Sequence, residues 1–267
     1  MDFLKEKFRL IACDVDGTLV PEETHHLDPR FQEIIRLARK RNIALCFASG
    51  RQYEDLVLLA PELEYEISYI ATNGSLIFEQ NKVILEVEMT KPDPVDLCRE
   101  IAKFPKAHYV VSTAREIFVQ YRDHEDKSKI MKDYPNLVTF VRSAEEIGQI
   151  EDTIVKVSLA DREGIAGYVR HFQEKWGNVC EIAAAGHSWL DFTNSNKGVA
   201  LAKLCQMKQI PLSETLVFGD NNNDIGMLQE AGFSFAMDVS TDTVKSYADG
   251  ITDDPYREML AYLQQAS

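Results

Sequence analysis

Five short apolar runs constrain this chain most: "FRLIAC" (8–13), "IALCFA" (43–48), "ISYIAT" (67–72), "TLVFG" (215–219) and "FSFAM" (233–237). None alternates apolar with polar residues. A strand wetted on one side must alternate, so continuous runs of this length read as strands buried on both faces of a parallel sheet. Parallel neighbours need crossover segments, and amphipathic stretches lie between the runs. Asp28-Pro29 offers a cap and a first-turn proline ahead of "RFQEIIRLARKR", whose Phe31, Ile34, Ile35 and Ala38 share one face. Residues 197–206 and 224–231 also read as helices.

Each run ends in small, polar or acidic residues: Asp14-Val15-Asp16, Ser49-Gly50-Arg51, Asn73-Gly74, Asp220-Asn221-Asn222-Asn223-Asp224 and Asp238. In an open parallel sheet these ends share one edge, and ligands bind in the crevice outside it. The Asp16-Gly17 step is by itself a hairpin signal. Five separate hairpins would have no reason to repeat one pattern.

From about residue 85 to 189 the pattern changes. "HYVVS", "EIFVQY", "LVTFV" and "TIVKVSL" alternate in part, as in an antiparallel sheet covered by helices on one face. Asp93-Pro94 is expected to open one helix there and Asp161-Arg162-Glu163 another. The chain therefore reads as α/β, a Rossmann-like doubly wound parallel core in two segments, 1–85 and 190–267, with an α+β domain, 86–189, inserted between them. Connectors are expected at 86–92 and 184–188.

A net charge of −14 over 267 residues speaks against a nucleic-acid partner, which needs a concentrated positive footprint. A small anionic substrate stays open. No run approaches the roughly 18 apolar residues of a membrane span, and the first residues lack a signal-peptide layout, so a cytoplasmic location is expected. Five cysteines, an odd number without a C-x-x-C pair, indicate neither a disulfide framework nor a zinc site.

Converging strand ends would crowd Asp14, Asp16, Asp220 and Asp224. Two bare carboxylates about 4 Å apart repel by roughly 4 kcal/mol at an effective dielectric of 20, so a cation belongs among them. Oxygen ligands, few of them from protein, suit Mg²⁺ with a phosphate. Lys197, at a helix start, can supply positive charge, and Ser49 with the backbone N–H groups of Gly50 and Arg51 can supply neutral donors. Asp14 can attack phosphorus, and Asp16 can give and take a proton.

In chain order, Asp14-Val15-Asp16-Gly17-Thr18, Ser49-Gly50-Arg51, Lys197-Gly198 and Gly219-Asp220-Asn221-Asn222-Asn223-Asp224 resemble the four motifs of the haloacid dehalogenase-like phosphatases. Asn73-Gly74 and "NNNDIGML" resemble the Cof-type branch, which carries a large α/β cap between its second and third motifs. The resemblance implies a Mg²⁺-dependent phosphomonoester hydrolase acting on a small phosphorylated metabolite, a sugar or cofactor phosphate, through an aspartyl-phosphate intermediate. It implies Asp14 as nucleophile and Asp16 as general acid/base. Ser49, Gly50, Lys197 and Asn223 would bind phosphate; Asp14, Asp220 and the backbone carbonyl of Asp16 would hold the metal; Asp224, Asn73 and Arg51 would support them. The alternatives are a phosphomutase or phosphotransferase on the same scaffold and, further off, a phospho-acceptor signalling domain. Against the latter stand the second aspartate, Asp16, and the long insert.

Two stretches depart from the branch. Met237-Asp238-Val239-Ser240 stands where a Met-Gly-Asn-Ala-like turn is usual, and Asp238 is expected to cap the helix starting near Ser240. "HSWLDFTNSNKG" lacks the usual glycine-valine-serine lead-in, which leaves phosphate contacts from His187 or Asn194 open. Arg51 is expected to reach either substrate or a surface acid. Arg115 and Tyr121 are alternatives for facing substrate, His25 and His26 are expected in solvent, and Trp176 and Trp189 in packing.

Overall fold

The continuous apolar runs form strands with both faces covered. The computed structural model describes residues 3–5, 7–20, 26–64, 66–122 and 138–265. Along the chain run β1 (Leu10–Asp14), α1 (Phe31–Arg41), β2 (Ala44–Ala48), α2 (Tyr53–Val57), β3 (Ile67–Ala71), β4 (Leu76–Glu79) and β5 (Lys82–Glu86). Next come α3 (Pro94–Ile101), β6 (His108–Ser112), β7 (Ile117–Gln120), β8 (Val138–Val141), α4 (Ala144–Ile147), β9 (Lys156–Ala160), α5 (Ala166–Trp176), β10 (Glu181–Ala185) and β11 (Trp189–Thr193). The order closes with α6 (Lys197–Lys208), β12 (Thr215–Gly219), α7 (Ile225–Glu230), β13 (Phe233–Met237), α8 (Asp242–Lys245), β14 (Gly250–Thr252) and α9 (Pro255–Gln265). The chain divides into two compact units, Met1–Leu85 with Asn196–Ser267, and Glu86–Ser195.

In the first unit the described strands form one sheet in the order β14-β13-β12-β1-β2-β3-β4-β5. From β14 to β3 all neighbours are parallel, and β4 runs antiparallel to β3. On one face Leu10, Ala12, Cys46, Ala48 and Val217 pack against Ala200, Leu201, Leu204 and Met227 of α6 and α7. On the other, Phe47 meets Phe31 of α1 with ring centroids 5.5 Å apart, and Cys13 Sγ lies 3.8 Å from Met259 Sδ of α9. Each fully buried aliphatic side chain contributes about 1.5–3 kcal/mol, which is why these runs carry no polar alternation. Helix α1 starts at Phe31, slightly after the proline: the Asp28 carboxylate accepts from Arg30 N (2.8 Å) and its carbonyl from Phe31 N (2.9 Å). The β4–β5 pair was not foreseen. Its link, Gln80-Asn81, has positive φ at both residues (48° and 60°), as a tight hairpin requires, without any glycine to announce it.

In the second unit the described strands form a sheet in the order β10-β11-β9-β6-β7-β8. It is antiparallel as expected except at one edge, where β7 and β8 are parallel. Tyr109, Val111, Val157, Leu159, Leu190 and Phe192 form the face against Leu97 of α3, Ile147 of α4 and Phe172 of α5. Asp93 caps α3, accepting from Val95 N at 2.9 Å. Asp161 opens no helix: it accepts from Glu163 N at 2.8 Å and from the Tyr168 hydroxyl, and α5 begins only at Ala166. The connector expected at 184–188 is instead part of a hairpin. β10 runs to Ala185, Gly186 turns at φ +63°, and β11 pairs with both β10 and β9, so residues 189–195 lie with the insert. Asn194 and His187 are occupied within this unit. Asn194 Oδ1 accepts from Thr90 N and Lys91 N at 2.7 and 3.1 Å, and His187 Nε2 lies 3.2 Å from the Glu163 carbonyl. Among the described residues no helix is long and apolar enough to cross a membrane.

Candidate active site

Because β13, β12, β1, β2 and β3 are parallel neighbours, their C-terminal ends fall on one edge of the first unit's sheet. Asp14, the last residue of β1, is 4% exposed. Its Oδ1 accepts from Lys197 Nζ at 2.6 Å, and the same ammonium donates to Asp224 Oδ1 at 2.6 Å. Asp220 completes the cluster: one carboxylate oxygen from each of Asp14, Asp220 and Asp224 lies within 4.8 Å of the others. Asp14 Oδ2 and Asp220 Oδ1 are buried without a hydrogen-bond partner.

One buried ammonium thus faces three carboxylates. Burial and then the neighbouring Asp224 push the Asp14 carboxyl well above its usual range, against the pull of Lys197. Burial, followed by Asp224, raises Asp220 to about 6. Burial alone would drive Lys197 toward neutrality, but Asp14 and Asp224 outweigh it and hold the ammonium charged.

Glycines permit this crowding. A Cβ on Gly198 would lie 2.5 Å from the Gly226 carbonyl carbon, so α6 and α7 approach closely enough to bring Lys197 to Asp224. Gly17 has φ +85°, and a Cβ there would sit 2.4 Å from Asp220 Oδ2. The Asp16-Gly17 turn is therefore real, closed by Gly17 N donating to the Val20 carbonyl at 2.9 Å, and it also makes room for a carboxylate.

Asp224 is the residue whose part the sequence understated. Besides holding Lys197, it accepts with Oδ2 from Asp220 N and Asn221 N, each at 2.9 Å. It thus fixes the loop that carries Asp220. Asn223 Nδ2 donates to Asn73 Oδ1 at 3.1 Å, and Asn73 N donates to the Ser49 carbonyl at 3.0 Å. The ends of β2, β3 and β12 are thereby tied to one another. A Cβ on Gly50 would lie 3.1 Å from Asn73 Oδ1, so Gly50 suits that close approach.

Asp16 stands apart from the cluster. Its carboxylate is gripped by Arg51, with Nε 2.9 Å from Oδ2 and the second nitrogen of the fork on Oδ1, while Ser49 Oγ lies 3.4 Å from Oδ2. Asp238 is exposed and does not cap α8; Thr241 Oγ1 does, accepting from Val244 N at 3.4 Å. Arg115 and His26 are exposed, and the Tyr121 ring packs edge-on to Phe140. Trp176 stacks on Phe172, as expected of a packing residue. His25 lies outside the described residues.

The profile of the haloacid dehalogenase-like hydrolases matches residues 11–262. The chain belongs to that family. Among its relatives is the 5-amino-6-(5-phospho-D-ribitylamino)uracil phosphatase YbjI of Escherichia coli, 27% identical over 90% of this chain and 89% of the relative. The pyridoxal phosphate phosphatase YbhA of the same organism is 25% identical, covering 95% and 96%. The solved structure of the subclass IIB sugar phosphatase BT4131 superposes with a TM-score of 0.77 at 25% identity, over 94% of this chain and 95% of that one. This haloacid dehalogenase-like hydrolase is a phosphatase, and its α/β core with an inserted α+β unit is the architecture of its structural neighbours.

Proposed function

We infer that the enzyme hydrolyses monoesters of small phosphorylated metabolites, with Asp14 as nucleophile and Asp16 as general acid/base. The observation that carries this reading is the imbalance at the strand ends: Asp14 Oδ2 and Asp220 Oδ1 are buried and unpartnered, and they belong to an acidic cluster that holds one lysine. Orphaned carboxylate oxygens fit a hard divalent cation, and Asp14, Asp220 and the backbone carbonyl of Asp16 would hold Mg²⁺ there. Bound Mg²⁺ would supply charge neutralisation, letting an anionic phosphoryl group approach anionic Asp14.

Asp14 attacks phosphorus, and the bond to the leaving oxygen breaks with its electron pair on that oxygen, which takes the proton of Asp16. Water then attacks the aspartyl phosphate, Asp16 takes a proton from it, and the bond to Asp14 breaks to release phosphate. Lys197 orients Asp14 and pulls toward its charged form, against burial and Asp224. Ser49, with the backbone N–H of Gly50, would receive the phosphoryl oxygens, while the Arg51 N–H donates to Ser49 Oγ and Asn223 and Asn73 hold that loop in shape. The relatives named for a ribitylaminouracil phosphate, for pyridoxal phosphate and for sugars support a small organic phosphate as substrate.

Asp14→Asn removes the nucleophile yet keeps its shape. Turnover of p-nitrophenyl phosphate with Mg²⁺, read as free phosphate, is expected to fall by at least about 10³-fold; near-normal turnover would sink the mechanism. Catalytic release of phosphate by the native enzyme separates hydrolysis from transfer to a second hydroxyl, and from a single stoichiometric phosphorylation.

A further inference from the structure

We propose that Arg51 is the positioning residue for Asp16: its guanidinium clamps the acid/base carboxyl toward the end of β2, where Ser49 and Gly50 stand. This rests on the acid/base reading of Asp16. Asp16 ends no strand and lies in the loop that closes from Val15 to Val20, with its side chain 52% exposed. Left to itself, such a carboxylate would sample several rotamers. General acid catalysis demands that the proton sit within hydrogen-bond reach of one atom, the leaving oxygen. Arg51 provides that restraint through both carboxylate oxygens, a planar fork that a lysine cannot reproduce.

The guanidinium is itself anchored at its base. Arg51 N donates to Ser49 Oγ at 3.2 Å, and the Arg51 carbonyl accepts from Thr72 N at 2.9 Å. Thr72 is a β-branched residue at φ +55°, followed by Asn73 at φ +54°, and backbone of this kind persists only where its surroundings over-determine it. Here it fixes the carbonyl beneath the clamp. The clamp also tolerates the chemistry: when one oxygen of Asp16 carries the proton, the other still accepts from the guanidinium, so orientation survives both proton transfers.

The test compares p-nitrophenyl phosphate, whose leaving group departs readily as an anion, with phenyl phosphate, whose leaving group needs the proton more. With Mg²⁺ present, Asp16→Ala is expected to lose about 10²-fold more kcat on phenyl phosphate than on p-nitrophenyl phosphate. Arg51→Met should show the same bias at about tenfold, in kcat and not in KM, and Arg51→Lys should recover only part of it. Added to Asp16→Ala, Arg51→Met should bring no further bias. Equal losses on both substrates, a change in KM alone, or full additivity with Asp16→Ala would overturn the positioning role and leave Arg51 as a phosphate-binding or structural group. An Asp16→Ala enzyme with no leaving-group bias would instead remove the acid assignment itself, and with it the role of Arg51.

Discussion

Each unit buries a lysine against aspartate, and the two networks differ in their charge balance. In the insert, Lys156 Nζ lies 3.2 Å from Asp191 Oδ2, and Ser158 Oγ donates to Asp191 Oδ1 at 2.6 Å. Among the described residues, one cation meets this carboxylate and a hydroxyl takes its second oxygen. In the core, Lys197 meets Asp14 and Asp224 while Asp220 crowds the same space, and two carboxylate oxygens stay unpartnered. A buried carboxylate whose oxygens are answered can serve as scaffold, whereas one left unanswered needs a further charge, and that need, rather than burial or the presence of lysine, singles out the candidate site.

The sharpest way to break this contrast is to remove each lysine. Lys197→Met strips the core cluster of its only cation among the described residues, and urea unfolding in chelator should show a loss of about 3–5 kcal/mol. Millimolar Mg²⁺ should return much of it by binding the folded state. Lys156→Met should cost about 2–4 kcal/mol, with no return on adding Mg²⁺, and Asp191→Leu added to it should recover part of the loss because it removes the stranded charge. If Mg²⁺ restores both variants or neither, charge balance does not distinguish the two networks.

Two glycines sharpen the comparison at smaller scale. Gly17 in the core and Gly186 in the insert both have positive φ, +85° and +63°, but a Cβ on Gly17 meets Asp220 Oδ2 at 2.4 Å while one on Gly186 meets nothing within 4 Å. Gly186→Ala isolates the backbone cost, about 1 kcal/mol. Gly17→Ala should add the displacement of Asp220, for a total of about 2–3 kcal/mol and a clear fall in kcat. Equal stability losses in thermal unfolding would mean that Gly17 serves the turn alone.

The same contrast marks what the sequence made legible. The parallel core was readable because strands covered on both faces, such as β1 and β12, leave unbroken apolar runs. Their shared C-terminal edge then followed from topology, and with it the convergence of Asp14, Lys197 and Asp220. The insert was harder. β10 and β11 are short, mixed in polarity and joined through Gly186, so nothing local to Asp191 shows that its side chain meets Lys156, 35 residues earlier. Asp224 was underrated for a related reason. Its bond to Lys197 depends on the close approach of Gly198 and Gly226, two isolated glycines with no local signature. Likewise, nothing in Ser49-Gly50-Arg51 says that the guanidinium turns to Asp16 across 35 residues of sequence.

The smallest expected effect concerns the converse imbalance. On the insert, Glu100 is a nearly buried carboxylate ringed by Lys103, Lys175 and His171, with Lys103 Nζ at 2.9 Å and His171 Nε2 at 3.0 Å. Hydrogen bonds from Lys103 and then Lys175 hold its pKa down at about 2. A carboxyl depressed in the folded state contributes stability that is complete above its unfolded pKa, near 4.5, and is lost as pH falls toward the folded value. A depression of this size is worth roughly 3 kcal/mol unscreened, but the Lys103 and Lys175 side chains are 66% and 41% exposed, so about 1 kcal/mol is expected. Glu100→Gln should therefore be less stable than the native protein by about that amount at pH 6, and the gap should narrow steadily from pH 4.5 downward. A gap that stayed constant with pH would show that Glu100 does not act through its charge, and that excess positive charge around a carboxylate does not mirror the excess negative charge around Lys197.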